Sequence, residues 1–182
     1  MKADFSLEGT RVFLRVLTEA DASQEYVQWL NDPVVNRYLE TRSATTEKVK
    51  EFIREKNESE DALLLGIFWK ESGVHIGTIK LEPIARDKGE ATLGILIGNR
   101  EYWGKGAATE ATNLMTGYAL SELGLREITL GVIPENEAAI RVYKKCGFTI
   151  DHIEKNAVNH DGLLYDRIVM HKTSCPPAPS AA

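Results

Sequence analysis

Ile95-Leu96-Ile97-Gly98-Asn99-Arg100-Glu101-Tyr102-Trp103-Gly104-Lys105-Gly106-Ala107-Ala108-Thr109-Glu110-Ala111 reads as an apolar strand that enters a glycine-containing turn and opens a helix. The helix predicted from Ala107 runs to Leu123. Ala111, Leu114, Met115 and Tyr118 recur at i, i+3, i+4 and i+7, and Gly124 is its C-cap. A helix start carries unsatisfied N–H groups and roughly half a positive charge. Glycines let a bulky anion approach that backbone, and Ala107 and Ala108 keep the first turn uncrowded. The stretch is suited to phosphate. Two familiar phosphate turns do not fit it. A P-loop has four residues between its first glycine and Gly-Lys-Ser/Thr. Here five separate Gly98 from Gly104, and Gly106 stands where a hydroxyl should hold magnesium. The dinucleotide fingerprint needs a third glycine where Thr109 sits. Taken alone, two glycines between a strand and a helix are more often a plain joint.

A second segment lies one strand further on, after Glu127–Ile133. Asn136-Glu137-Ala138-Ala139-Ile140-Arg141-Val142-Tyr143-Lys144-Lys145-Cys146-Gly147-Phe148 begins a helix at an asparagine and carries a tyrosine two turns later. Asn136 alone is an ordinary N-cap. Tyr143 alone is an ordinary amphipathic core residue. Taken together, Trp103–Ala111 and Asn136–Phe148 resemble the two cofactor motifs of the GNAT superfamily of acetyl-CoA-dependent N-acetyltransferases. The resemblance covers roughly Leu7 to Lys172. Arg11-Val12-Phe13-Leu14-Arg15 and Asp161-Gly162-Leu163-Leu164-Tyr165-Asp166 are similar to the Rim-type branch, named for ribosomal-protein N-acetyltransferases.

The resemblance implies a set of roles. Backbone groups of Ile95, Leu96 and Ile97 would pair with the pantetheine arm. The N–H groups of Gly104, Lys105, Gly106, Ala107, Ala108 and Thr109 would hold the pyrophosphate. Asn136 would touch the arm and Ala139 would leave room for it. Tyr143 would protonate the leaving thiolate. Relatives in this branch often carry a glutamate, as candidate base, at the position of Thr92. Glu90 lies two residues earlier on the same strand face and is the expected substitute, directly or through water; Glu82 on the neighbouring strand is the weaker candidate. The co-substrate would be acetyl-CoA, with no metal. The acceptor would be a primary amine on a small molecule or peptide, such as a protein N-terminus or an amino sugar. A homodimer stays open. The alternative is a non-catalytic acyl-CoA sensor or scaffold of the same fold, which the threonine at position 92 favours and Tyr143 disfavours.

The rest of the chain supplies the frame. Strands are predicted at Thr10–Val16, Ala62–Lys70, Val74–Glu82, Glu90–Ile97, Glu127–Ile133, Phe148–Lys155 and Leu163–His171. Thr18-Glu19-Ala20-Asp21 starts a first helix by a capping box, and Thr45 or Thr46 a second. Val34–Leu39 suggests a further helical turn. Pro83 and Ala85–Gly89 break the strand pattern, and Asn159-His160-Asp161-Gly162 turns the last hairpin. The expected class is α+β, and the GNAT resemblance adds a mixed, mostly antiparallel sheet splayed between its fourth and fifth strands and flanked by helices. One domain is expected over 1–172, with a disordered Pro/Ala-rich tail over 173–182.

Composition excludes other classes. The 182 residues are 43% hydrophobic and 27% charged, as in an ordinary globular chain. A net charge of −5 with dispersed Lys and Arg argues against nucleic acid. No apolar run approaches the ~20 residues of a membrane helix. Cys146 and Cys175, with the four histidines, have no metal-type spacing. Without an N-terminal signal core, a cytoplasmic location is expected. Trp29, Trp69 and Cys146 are expected to pack in the core, and His160 to be solvated.

Overall fold

The computed structural model describes residues 5–39, 43–160 and 162–174. The chain runs β1 (Ser6–Glu8), β2 (Val12–Val16), α1 (Gln24–Asn31), α2 (Thr46–Glu58), β3 (Leu63–Trp69), β4 (His75–Ala85), β5 (Glu90–Ile97), α3 (Ala107–Ser121), β6 (Glu127–Val132), α4 (Glu137–Lys145), β7 (Thr149–His160) and β8 (Leu163–Thr173). These strands form one sheet in the order β1-β2-β3-β4-β5-β6-β8-β7. The β5–β6 junction is parallel, and the other pairings are antiparallel. This is the expected α+β class. The short β1 was not predicted, so the expected fourth and fifth strands are β5 and β6.

Strand alternation divides the apolar residues between the two sheet faces. Leu63, Leu65 and Ile67 of β3 share a core with Ala111 and Met115 of α3, with Tyr143 of α4 and with Cys146, its C-cap. Leu64 and Phe68, at the alternate positions of the same strand, share a second core with Tyr26 and Trp29 of α1 and Val49 and Ile53 of α2. Helices α3 and α4 therefore cover one face, and α1 and α2 the other. Trp29 needs Gly98: a Cβ there would come within 2.1 Å of its ring. Trp69 packs, half-buried, against the first core.

Several local readings change in three dimensions. The Thr18–Asp21 box exists, with Thr18 N–H donating to Asp21 Oδ2 at 2.7 Å, but it closes a 3-10 turn. Helix α1 begins later, capped by Ser23, whose hydroxyl accepts from Tyr26 N–H. Residues 33–38 form turns and not a helix. Strand β4 continues past Pro83 because a bulge sets Glu82 and Pro83 against the single residue Thr92. Strand β8 includes Thr173, which pairs with Glu127, and Ser174 N–H donates to the Arg126 carbonyl. The expected tail thus loses its first two residues to ordered backbone. Residues 175–182, Asp161 and the side chain of His160 lie outside the described residues, as does Cys175. Among the described residues, no helix is long and apolar enough to cross a membrane.

Candidate active site

Strands β5 and β6 share three register pairs, Glu90–Glu127, Ala91–Ile128 and Thr92–Thr129. Beyond Thr92 each keeps its outer partner: β5 pairs with β4 out to Ile97, and β6 with β8 out to Val132. Their inner edges separate, leaving the expected splay. In a strand, successive backbone groups point to opposite neighbours. The Leu96 carbonyl faces Gly77 of β4, so Ile95 and Ile97 turn toward the gap. The Ile97 carbonyl is already taken, accepting from Trp103 Nε1 at 2.8 Å. Of the three residues expected to present backbone groups there, Leu96 is committed to the β4 ladder.

After β5 the chain makes a 3-10 turn at Arg100–Tyr102, capped by Asn99, and then needs two left-handed residues. Gly104 has φ +72° and Gly106 has φ +85°, with open space around both. Glycine is required here by conformation and not by crowding. Gly106 is the N-cap of α3 and has no side chain to satisfy the first turn. The first helical bond at this end runs from Glu110 N–H to the Gly106 carbonyl. The N–H groups of Ala107, Ala108 and Thr109 have no acceptor among the described residues. Helix α4 differs: Asn136 Oδ1 accepts from Ala139 N–H at 3.2 Å. Asn136 is thus an N-cap, while its amide nitrogen has no partner among the described residues.

A cavity of about 1470 Å³ passes through the gap and is lined from both faces of the sheet. Ile95, Leu96, Ile97, Gly104, Gly106, Ala107, Ala108, Thr109, Asn136, Ala139 and Tyr143 all line it. Lys105 lines an adjoining cavity instead, with its Nζ over the Tyr102 ring at 5.1 Å. Tyr143 is 7% exposed, and its hydroxyl has no partner among the described residues. Burial, with Cys146 acting in the same direction, pushes its pKa up to about 12. Cys146 itself is packing, as expected: it is buried, with Sγ donating to the Thr109 carbonyl at 3.4 Å, and burial raises its pKa.

Glu90 does not join this constellation. It is exposed at the start of β5, on the still-paired stretch, and is absent from the cavity wall. Thr92 is on the wall, its Oγ1 3.3 Å from Thr129 Oγ1. The carboxylate that does reach the cavity is Glu82, carried opposite Thr92 by the β4 bulge. Lys56 Nζ lies 2.6 Å from one of its oxygens and Lys80 Nζ 2.9 Å from the other. Burial works to raise its pKa, but the two lysines outweigh that and hold it below the usual range.

The cationic lining was not anticipated. Arg37, Lys48, Lys80, Arg141, Lys145 and Arg167 face Glu82 as the single anion among the described lining residues. One signal was readable: Thr78, Lys80 and Glu82 alternate as polar positions inside an otherwise apolar strand. The described residues contain no cluster of His, Cys, Asp and Glu fit to hold a metal ion.

A long open slot with an anion-binding helix start at one end and a protonated acid inside suits an acyltransferase fed by a phosphate-bearing thioester. The acetyltransferase (GNAT) domain family model matches residues 11–149, and the chain belongs to this family. It is an acyltransferase that uses acetyl-CoA as co-substrate. The relative named "Probable N-acetyltransferase YjcK" from Bacillus subtilis is 29% identical over 173 residues, covering 90% of this chain and 94% of its own. Two solved structures share the fold. Ribosomal-protein-S5-alanine acetyltransferase from Vibrio fischeri has a TM-score of 0.80 at 24% identity, over 97% of this chain and 100% of its own. Spermidine N-acetyltransferase from Vibrio cholerae, solved with CoA and spermine, has a TM-score of 0.82 at 22% identity, over 91% of this chain and 96% of its own.

Proposed function

We propose that this enzyme acetylates a primary amine by direct attack on acetyl-CoA, with Tyr143 as the acid. The carrying observation is that Tyr143, its hydroxyl without a partner among the described residues and held protonated, lines the same slot as the gap-facing backbone of β5. The amine nitrogen attacks the thioester carbonyl and the C–N bond forms. A backbone N–H on the gap side of β5 steadies the oxyanion. The C–S bond then breaks and the thiolate takes the Tyr143 proton. The nitrogen gives up its own proton to solvent, and the tyrosine is reprotonated. The pyrophosphate sits on the N–H groups of the Gly104–Thr109 turn, and the pantetheine runs past Ile95 and Ile97 toward Asn136 and Ala139.

The acceptor amine has to arrive neutral. Glu90 lies outside the cavity, and Glu82 is a poor proton acceptor because Lys56 and Lys80 stabilise its charge. A lysine-like amine has a pKa near 10, whereas an α-amine has one near 8 and is about a tenth neutral at pH 7. The wall therefore favours an amine of modest basicity, such as a peptide N-terminus. The test is CoA release, read with a thiol reagent, across N-terminal peptides, amino sugars and polyamines. Turnover of one class that Tyr143→Phe strongly reduces supports the reading. Tight acetyl-CoA binding with no turnover of any amine overturns it.

A further inference from the structure

The proposed acetyl transfer leaves open what besides the amine the enzyme recognises, and the charges of the cavity bear on that. The phosphates of CoA do not account for all of its cations. The anion-binding turn belongs to α3, whose Ala111 and Met115 pack on one face of the sheet. On β4, Ile79 and Leu81 point into that same core, so Lys80 and Glu82 stand on the opposite face. On β8, Ile168 and Met170 point into it, so Arg167 stands on the opposite face as well. Lys48 belongs to α2, which covers that opposite face through Val49 and Ile53. The adjoining cavity at Gly104, Lys105, Gly106 and Thr109 includes none of these three cations.

Their state is also informative. Glu82 is bound on both oxygens by Lys56 and Lys80, so it has little charge left for an incoming cation. Lys48 has no ion pair among the described residues. Arg167 is held in place: Nη1 lies 3.2 Å from Glu154 Oε2, and Nη2 donates to the Ala157 carbonyl at 3.4 Å. Its side chain crosses β6 at Gly131, where a Cβ would come within 2.7 Å of its Cδ. The missing side chain at Gly131 makes room for the arginine beside the gap. A guanidinium offers five N–H donors in a fixed fork. Among the described residues that line the cavity on this face, Lys48, Lys80 and Arg167 outnumber the single anion Glu82. A polycation entering here would meet like charge.

We propose that the acceptor carries an anionic group, a carboxylate or a phosphate, which Lys48, Lys80 and Arg167 hold while its amine faces the thioester. This rests on the acetyl-transfer reading above and names its substrate class.

The test uses amidated peptides that share an N-terminal alanine and differ at the second residue: glutamate, phosphoserine or glutamine, with spermidine as the cationic comparison. CoA release gives kcat/KM for each. A charged peptide is expected to exceed the glutamine peptide by about tenfold, with the excess shrinking in high salt. The better of glutamate and phosphoserine names the anion. Lys48→Gln and Arg167→Gln should each cut the charged-to-neutral ratio by about threefold or more. Lys48 is exposed on α2, so its variant tests the idea even where Arg167→Gln folds poorly. Equal, measurable turnover of charged and neutral peptides, or a preference for spermidine, overturns the proposal. Calorimetric titration of the same peptides into CoA-saturated protein separates the two readings. Tighter binding of the charged peptides without CoA release sustains the anion site and counts against transfer to these amines. Equal or weaker binding overturns the anion site whatever the turnover.

Discussion

Thr92 Oγ1 lies 3.3 Å from Thr129 Oγ1 on the last rung that β5 and β6 share. One residue further the strands part and the slot begins. The hydroxyl pair closes the ladder, and it adds no ionisable group to the slot.

Thr92→Val should therefore be nearly silent. A neutral hydrogen bond contributes about 1 kcal/mol, and valine keeps the shape of the site. Thermal unfolding is expected to move by a few degrees, and kcat/KM by less than about threefold. A hundredfold loss of activity would mean that the hydroxyl takes part in the chemistry.

Tyr143→Phe removes the acid and keeps the ring. The hydroxyl has no partner among the described residues, so little stability goes with it. kcat should fall about 10²-fold while acetyl-CoA affinity, measured by calorimetry, holds. Because its pKa is pushed up to about 12, the tyrosine stays protonated through the whole working range. Wild-type kcat should show no alkaline decline below about pH 10.

If no side chain serves as base, the acid limb of kcat/KM belongs to the acceptor. An α-amine should give a limb near pH 8, and a lysine-like amine one near pH 10. Rate profiles with two acceptors of different amine pKa decide the point. A limb fixed at one pH for both would reveal a base on the enzyme.

The glycines of α3 should respond in opposite directions. Gly106 has φ +85°, and an alanine there costs about 1–2 kcal/mol even though the space is open. Gly106→Ala should lower both the unfolding free energy and acetyl-CoA affinity. Gly117 is an exposed position inside the same helix with nothing near its missing Cβ. Gly117→Ala should raise stability by about 0.5–1 kcal/mol in urea unfolding.

His75 should make stability depend on pH. Its ring stacks on Phe68 at 4.8 Å and meets Trp29 and Tyr26 edge-on. Burial pushes its pKa down to about 4, against the bond to the Gly77 carbonyl and the Asp21 charge. The unfolded chain takes up a proton near pH 6.5, and the folded protein refuses it until about 4. The contribution is whole above pH 6.5 and is lost as pH falls toward 4, roughly 3 kcal/mol in total. The unfolding free energy of His75→Phe should fall less steeply than wild type across that interval.

Much of this protein could be read along the chain because the deciding chemistry is local. The left-handed glycines, the uncapped start of α3 and the apolar stripes of α3 and α4 depend on neighbours within a few residues. So does the Asn136 cap, which holds the helix whether or not its amide also meets the cofactor. What failed were relations across the sheet. Glu90 and Glu82 are both carboxylates on strand faces, and alternation alone preferred Glu90. A bulge at Pro83, set by pairing with β5, carries Glu82 into the slot and leaves Glu90 on the paired stretch. Lys48, Lys80 and Arg167 come from α2, β4 and β8, distant in sequence, and converge because the sheet order sets β8 beside β6 and α2 over β3. One-dimensional patterns report which residues share a face. Which faces meet follows from long-range strand pairing, and that pairing decides the electrostatics of the slot.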